Sequence, residues 1–538
     1  MTAALDRTMD RRITRRQLLK GGAAIFASAL GAQALAACAV PVTPAPAGSA
    51  AAPQPISPPV TTLRIVTPEN RPLEPQLHAS GAQRVLTTNI YENLVTISLD
   101  GRSILPQLAE SWERIDDLTW EFKLRQGVKF HSGDPFTAEA VRYSIERYMN
   151  PDNQPPQLAQ YSFPSVEIVD DYTVRISSEQ PDPTFLKRIA GIGTTIVNPR
   201  FAEEKGLEGM QKEADGTGPY RVSAWSLDGE IVLEAFEEYW GGAPEIKKVI
   251  QTAVVEPGTR VAALLAGEAD LITAVPPTEA QAIERGANTK LATVMANRVS
   301  FYPFVTNKSP TDNKLLRQAC NYASNFDSII ANVLGGRGYR TACMSLPHYF
   351  GYNPDLKPYP YDPDKAKQLL EQAGYDGTPI DMLQLVGRIP YDKEVGEALA
   401  GELEKVGLKI NIKFVDIGGA SQALWENPDL KGFHHITWGA GTMDGDYAIG
   451  EYWRSDSFFA QKGHHYANPE FDSIIAEAKY ELDTEKREKL YWRAEQIIYD
   501  DAVAIWGYAV QLIFGMSERL QWEPRVDELV LYKEMKLA

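Results

Sequence analysis

From residue 61 onward, apolar positions recur in two alternating rhythms. Leu63-Arg64-Ile65-Val66 and Thr119-Trp120-Glu121-Phe122-Lys123-Leu124 carry them at every second position or in a short run, as strands do. Val141, Ile145 and Tyr148 fall at i, i+4 and i+7, which predicts a helix after Asp134-Pro135-Phe136 with Thr137 as its N-cap. Asp362-Pro363 supplies a cap and a first-turn proline; Ala366, Leu369, Leu370 and Ala373 then line one face, and Gly374 stops the helix. A helix over 391–406 closes at Gly407 and hands over to a strand at 408–414. Two further helices, 470–482 and 484–501, precede an aliphatic strand at 502–506. This alternation predicts an α/β body, and no repeat of 20–50 residues is visible.

Before residue 61 the pattern is of another kind. Thr14-Arg15-Arg16-Gln17-Leu18-Leu19-Lys20 leads into a mild apolar run that ends at Leu35-Ala36-Ala37-Cys38. A buried helix would not place six cations in its first twenty residues and then an uncharged stretch, and the run is too short and too alanine-rich for a stable membrane span. It resembles a twin-arginine export signal joined to a lipobox, with residues 1–37 removed and Cys38 lipidated. Residues 38–61 are then a tether, rich in alanine and proline, with too little apolar area to offset the entropy of ordering.

About 480 residues follow, enough for two or three domains, with no later apolar run long enough to span a bilayer. Removing residues 1–37 deletes six cations and two acids and takes the formal charge from −17 to −21. Such a balance argues against nucleic acid as a partner. Cys320 falls in a helical pattern and reads as a small core residue; a bridge to Cys343 stays open.

Catalytic and nucleotide signatures are absent: there is no GxxxxGK[ST], HExxH or GxSxG. Gly335-Gly336-Arg337-Gly338 follows a helical stretch, not a strand, and reads as a loop. The doublets His434-His435 and His464-His465 hold four of the seven histidines, but neighbours on a strand face opposite ways, so neither doublet chelates a metal by itself. No metal and no cofactor is expected.

Ordered blocks carry a family resemblance. They are Leu108-Ala109-Glu110-Ser111-Trp112, the run from Trp120 through Gly133-Asp134-Pro135-Phe136-Thr137 to Val141, and Gly216-Thr217-Gly218-Pro219-Tyr220. Tyr239-Trp240-Gly241-Gly242, Leu264-Leu265-Ala266-Gly267-Glu268-Ala269-Asp270 and Leu316-Arg317-Gln318-Ala319 follow in order. Together they resemble the family 5 extracellular solute-binding proteins, the dipeptide/oligopeptide-type receptors of ABC importers, from about residue 62 to the end. The resemblance implies a two-lobed α/β fold of the periplasmic-binding-protein type (type II, cluster C) with an extra subdomain and a hinged cleft. Lobe I would comprise 62–97, 215–305 and 508–538, its subdomain 98–214, and lobe II 306–507. It implies a monomeric binding protein, not an enzyme, partnered by a permease and an ATPase and held outside the cytoplasm through its lipid.

In relatives a strand ending in tryptophan lines the cleft and an aspartate three residues on meets the ligand's amino terminus. Trp438 matches that tryptophan, but the third position on is Gly441, and the nearest carboxylates are Asp444 and Asp446. The expected contacts are therefore Trp438, Gly439, Gly441, Asp444 and Asp446, with Trp425 and Tyr447 as aromatic neighbours. His78 and Ser80, in the loop after the first strand, are added because that region faces the cleft in relatives. Peptide is the first ligand class; oligosaccharide, another polar nutrient or a metal chelate are alternatives, and an exported hydrolase or a structural lipoprotein stand further off.

Overall fold

The computed structural model describes residues 61–538 apart from 79–80, 156–157, 159–160, 162 and 164. The leader, Cys38, nearly all of the tether and Ser80 lie outside the described residues.

Three larger sheets organise the described residues. The largest has nine strands and a mixed sense. At its centre Thr62–Thr67 runs parallel to Lys248–Ala253 on one side and Leu271–Ile272 on the other. Beyond these, Glu230–Ala235 and Tyr220–Ala224 extend one edge, and Ala504–Ser517, Thr289–Pro303 and Ile436–Trp438 the other, with Gly338–Arg340 as the ninth strand, pairing antiparallel with Ala504–Ser517. A parallel three-stranded sheet joins Ile410–Asp416, Ile380–Val386 and Phe433–His434. An antiparallel four-stranded sheet comprises Ala109–Arg114, Thr119–Leu124, Thr173–Ser177 and Ser165–Asp170. In it the alternation at 119–124 buries Phe122 and Leu124, while Glu121 faces the opposite way and pairs across the strands with Arg175.

Thr289–Pro303 and Ala504–Ser517 form one long antiparallel ribbon whose register breaks between Met295 and Val299. Below the break, Phe514 and Met516 pack with Leu63, Ile65 and Leu271. Above it, Phe301 and Trp506 join a second core with Tyr452 and Trp453, and Tyr302 and Ile505 pack with the helix Lys314–Ala323. The ribbon thus passes from one core to another.

The helices keep close to their expected places: Ala138–Met149, Pro363–Gln372, Asp392–Lys405, Pro469–Tyr480 and Thr484–Asp500. Asp362 caps as expected, its side chain accepting from Lys365 N; Thr137 sits at its N-cap position without a side-chain bond. The last strand departs most from the sequence reading. It begins at Ala504, because Ala502 turns at φ 46°, and it continues to Ser517. Gly507, just past the expected strand, continues it and is a point of close approach: a Cβ there would lie 2.3 Å from Ser300 O. The expected change of lobe between 507 and 508 therefore falls inside one strand. Cys320 and Cys343 are both free and buried, in different cores, so no bridge joins them.

Candidate functional site

The strand Ile436–Trp438 pairs with the ribbon at Phe301, Ser300 and Val299, just above the register break. The break frees Asn297 and Arg298 from strand pairing. Asn297 donates its Nδ2 to Ala440 O at 2.7 Å, and Arg298 forms an ion pair with Glu528. Gly439 passes so close that a Cβ would lie 1.9 Å from Asn297 O, so only glycine fits. Gly441 has open space around it instead.

Thr437 and Trp438 project to opposite faces of their strand. Trp438 is half-buried and stacks on Tyr447 at 5.1 Å and 14°, donating its indole N–H to Tyr447 O at 3.3 Å. Phe459 and Tyr452 meet it edge-on, while Trp425 packs among His434, Phe458 and Phe459. On the other face Arg388 donates to Thr437 Oγ1 at 2.7 Å, and among the described residues no carboxylate forms an ion pair with it.

The two loop aspartates are already engaged. Asp444, 2 % exposed, takes both terminal nitrogens of Arg487, at 3.0 and 2.5 Å, with Lys187 Nζ at 3.6 Å. Burial would raise its pKa, but Arg487 and then Lys187 outweigh that and hold it below the usual carboxylate range. Asp446 meets Arg188 at 3.1 Å; burial, opposed by Arg188 and reinforced by the Asp444 charge, leaves its pKa raised. Lys187 and Arg188 lie on the short helix Phe185–Ile189, more than 250 residues earlier in the chain. Lys187 also donates to Met443 O at 2.8 Å.

A cleft of about 550 Å³ opens between these two parts of the chain. Arg102, Trp120 and Lys187 line one side, and Tyr349, Phe350, Asp444, Arg487 and Trp492 the other. Its lining holds four lysines and arginines (Arg102, Arg114, Lys187 and Arg487) against four acids (Asp182, Asp444, Glu481 and Glu488). His78 is half-buried, at the end of a loop held by the buried pair Glu74–Arg147 at 2.9 Å and by Gln76, which donates to Ser144 O and Thr195 O.

His434 and His435 are buried on opposite sides of their segment, the first against Trp425 and the second bonded to Ser300. His464 is buried and His465 half-buried. Among the described residues no group of three His, Cys, Asp or Glu side chains is placed to hold a metal ion, and no helix is long and apolar enough to cross a membrane.

Sequence reasoning missed Arg388, Lys187, Arg188 and Arg487. Arg388 carried a signal: it stands two residues past the end of the strand Ile380–Val386 of the parallel sheet, and ligands gather at the carboxyl ends of such strands. The other three announce themselves only through partners far away in sequence.

A cleft walled by separate parts of the chain, on a body whose longest ribbon runs from one core to another, is the build of a two-lobed binding protein. Residues 103–459 match the profile of the bacterial extracellular solute-binding proteins, family 5, middle region, and the chain belongs to that family. It is 30 % identical over 463 residues to the glutathione-binding protein GsiB of Pectobacterium atrosepticum, covering 83 % of this chain and 88 % of that one. It is 31 % identical over 440 residues to heme-binding protein A of Haemophilus influenzae, covering 77 % and 80 %. Among solved structures, DppA from Helicobacter pylori in complex with the peptide STSA superimposes with a TM-score of 0.74 at 26 % identity, over 88 % of this chain and 98 % of that one. HbpA2 from Haemophilus parasuis gives 0.79 at 24 %, over 89 % and 100 %, a likeness of fold.

Proposed function

We propose that this chain is the ligand-capturing subunit of an ATP-driven importer, taking up peptides outside the cytoplasm and presenting them to a membrane permease. The cleft carries this reading. Its equal numbers of acids and cations, beside Trp120, Tyr349, Phe350 and Trp492, suit a zwitterion with apolar side chains better than a neutral sugar. In this reading 62–97, 215–305 and 508–538 form one lobe with 98–214 as its subdomain, 306–507 form the other, and the ribbon is the hinge. A ligand touching both lobes favours the closed form by its differential affinity. The ion pairs from Lys187 and Arg188 to Asp444 and Asp446 join the subdomain to the second lobe in that form.

Arg388, at Thr437, is assigned the anionic end of the ligand, with Trp438 on the opposite face of the same strand and Gly439 and Gly441 following it; His78 and Ser80 are kept as candidate contacts. Replacing Arg388 by glutamine should weaken peptides with a free carboxyl terminus about ten- to a hundredfold, the worth of a charge-assisted hydrogen bond, and leave C-terminally amidated peptides little changed. Titration calorimetry with matched free and amidated peptides reads this. Equal affinity of the wild type for both forms would sink the assignment. One observation favours the second reading, a receptor for oligosaccharide or another polar nutrient: the stacked Trp438–Tyr447 pair is the kind of ring platform sugars use. Oligosaccharide binding in the absence of peptide binding would decide for it.

Anchoring is proposed through Cys38. Mass spectrometry of membrane-extracted protein should find residues 1–37 gone and a diacylglyceryl thioether on Cys38. Two acyl chains, at about 0.8 kcal/mol per buried CH₂, hold a protein stably where one does not. Finding Cys38 unmodified would overturn this.

A further inference from the structure

The acids and cations that line the cleft are equal in number but not equally available to a ligand. Asp444 gives both oxygens to Arg487. Asp182 spends one oxygen on Thr184 and the other on Arg188, at 3.0 Å. Glu481 accepts from Asp483 N at 2.9 Å through one oxygen and pairs with Lys486 at 2.6 Å through the other. Of the four lining acids, Glu488 alone forms no ion pair among the described residues.

The cations are in the opposite state. Among the described residues neither Arg102 nor Arg114 forms an ion pair, and the Arg102 guanidinium donates to a neutral group, Pro347 O, at 3.3 Å. Asp100, close to Arg102 in sequence, accepts through Oδ1 from Ser98 Oγ and from the Arg102 backbone N–H, not from the guanidinium. Lys187, held by Met443 O, stands 3.6 Å from an Asp444 whose oxygens Arg487 already fills. The same wall carries His348, 8 % exposed, with Nε2 unpartnered. Burial, then the nearby charges of Arg102 and Lys187, push its pKa down to about 4, so the ring is neutral and has one N–H to give. An anionic group at this wall gains charge-assisted hydrogen bonds from donors that lack a carboxylate, whereas a second ammonium would find Glu488 alone.

We propose that this wall is a subsite for an anionic side chain, so that the cleft selects peptides carrying glutamate or aspartate. Arg102, Lys187 and His348 bind the side-chain carboxylate, and Arg114 adds its charge from the same lining. The inference rests on the peptide reading and deepens it: Arg388 takes the terminal carboxylate and this wall takes a second one.

The full chain at low ionic strength, where exposed charges are least screened, is offered tetrapeptide pools with free termini. In each pool one position is an equimolar mixture of glutamate and glutamine and the others are random; bound peptides are recovered and counted by mass spectrometry. The two side chains match in size and differ in charge, so at one position or more glutamate should be enriched about tenfold over glutamine, the scale of one charge-assisted hydrogen bond. Arg102→Gln and His348→Phe should each cut that enrichment severalfold, and Arg102→Gln with Arg114→Gln should remove it. Because the ratio is read within one pool, a general loss of affinity in a variant does not imitate this result. Equal recovery of glutamate and glutamine at every position overturns the subsite and leaves the peptide reading standing; recovery of no peptide at all removes both. Enrichment that survives in all of these variants places the anion elsewhere and overturns the assignment.

Discussion

Asp444→Asn should destabilise the fold by about 3–5 kcal/mol, the cost of breaking a buried ion pair from one side. Arg487 is 4 % exposed at its side chain and lies over the rings of Phe350 and Tyr491 at 4.7 and 4.9 Å, so it cannot turn to water when its carboxylate is gone. Its remaining bonds, to Ala478 O and Tyr491 Oη, are made to neutral groups and do not balance its charge. The double variant Asp444→Asn, Arg487→Met should lose much less than the sum of the two singles, because it removes both charges together. Urea unfolding followed by circular dichroism measures all four corners of that cycle. If Asp444→Asn unfolds within 1 kcal/mol of wild type (a small fraction of a buried pair's cost) yet loses ligand affinity, the carboxylate serves the ligand instead of the fold. Asp446→Asn should cost less, because Asp446 is more exposed and its partner Arg188 keeps a second carboxylate, Asp182, at 3.0 Å.

The same aspartates show where sequence reading reaches its limit. Helices could be placed because their signals are local: a cap at Asp362, a proline at 363, apolar residues at 366, 369 and 370. The stretch from Phe433 to Tyr447 stood out because aromatic and acidic residues crowd it, and the structure gathers Trp438, Tyr447, Tyr452 and Phe459 there. What local pattern cannot convey is whether a carboxylate is free. Arg487 lies 43 residues downstream of Asp444, and Lys187 more than 250 residues upstream of Met443. The last strand escaped for a related reason. The expected strand stops at 506, yet Gly507 continues it against the backbone of Ser300 on the partner strand, far away in sequence.

Acid should unfold this protein well before its surface carboxylates are protonated, and histidines set the window. His464 is fully buried, its Nε2 on Tyr452 O at 2.9 Å and its Nδ1 accepting from Tyr466 N at 3.1 Å. That arrangement satisfies the neutral ring; a second proton would have to sit on Nδ1, against an N–H. Burial first, with His465 nearby, depresses its pKa to about 3, despite the Tyr452 carbonyl. Burial likewise takes His434 to about 3 and His435 to about 4. A depressed folded-state pKa stabilises fully above the unfolded value, about 6.5, and that contribution is lost as pH falls toward the folded one. Between pH 7.5 and 4.5 each ring should therefore forfeit roughly 2–3 kcal/mol. Glu495 works in the opposite sense. Its raised pKa favours the fold as pH drops from about 7 toward the ordinary carboxylate value, by roughly 3 kcal/mol, which offsets about one histidine of the three. The net is a loss of several kcal/mol on acidification. Urea midpoints across that range should fall steeply in the wild type and less steeply in His464→Gln, even though the variant starts lower at neutral pH. An unchanged slope in His464→Gln would show that this ring takes up its proton as readily in the folded protein as in the unfolded chain, and that burial does not hold it neutral.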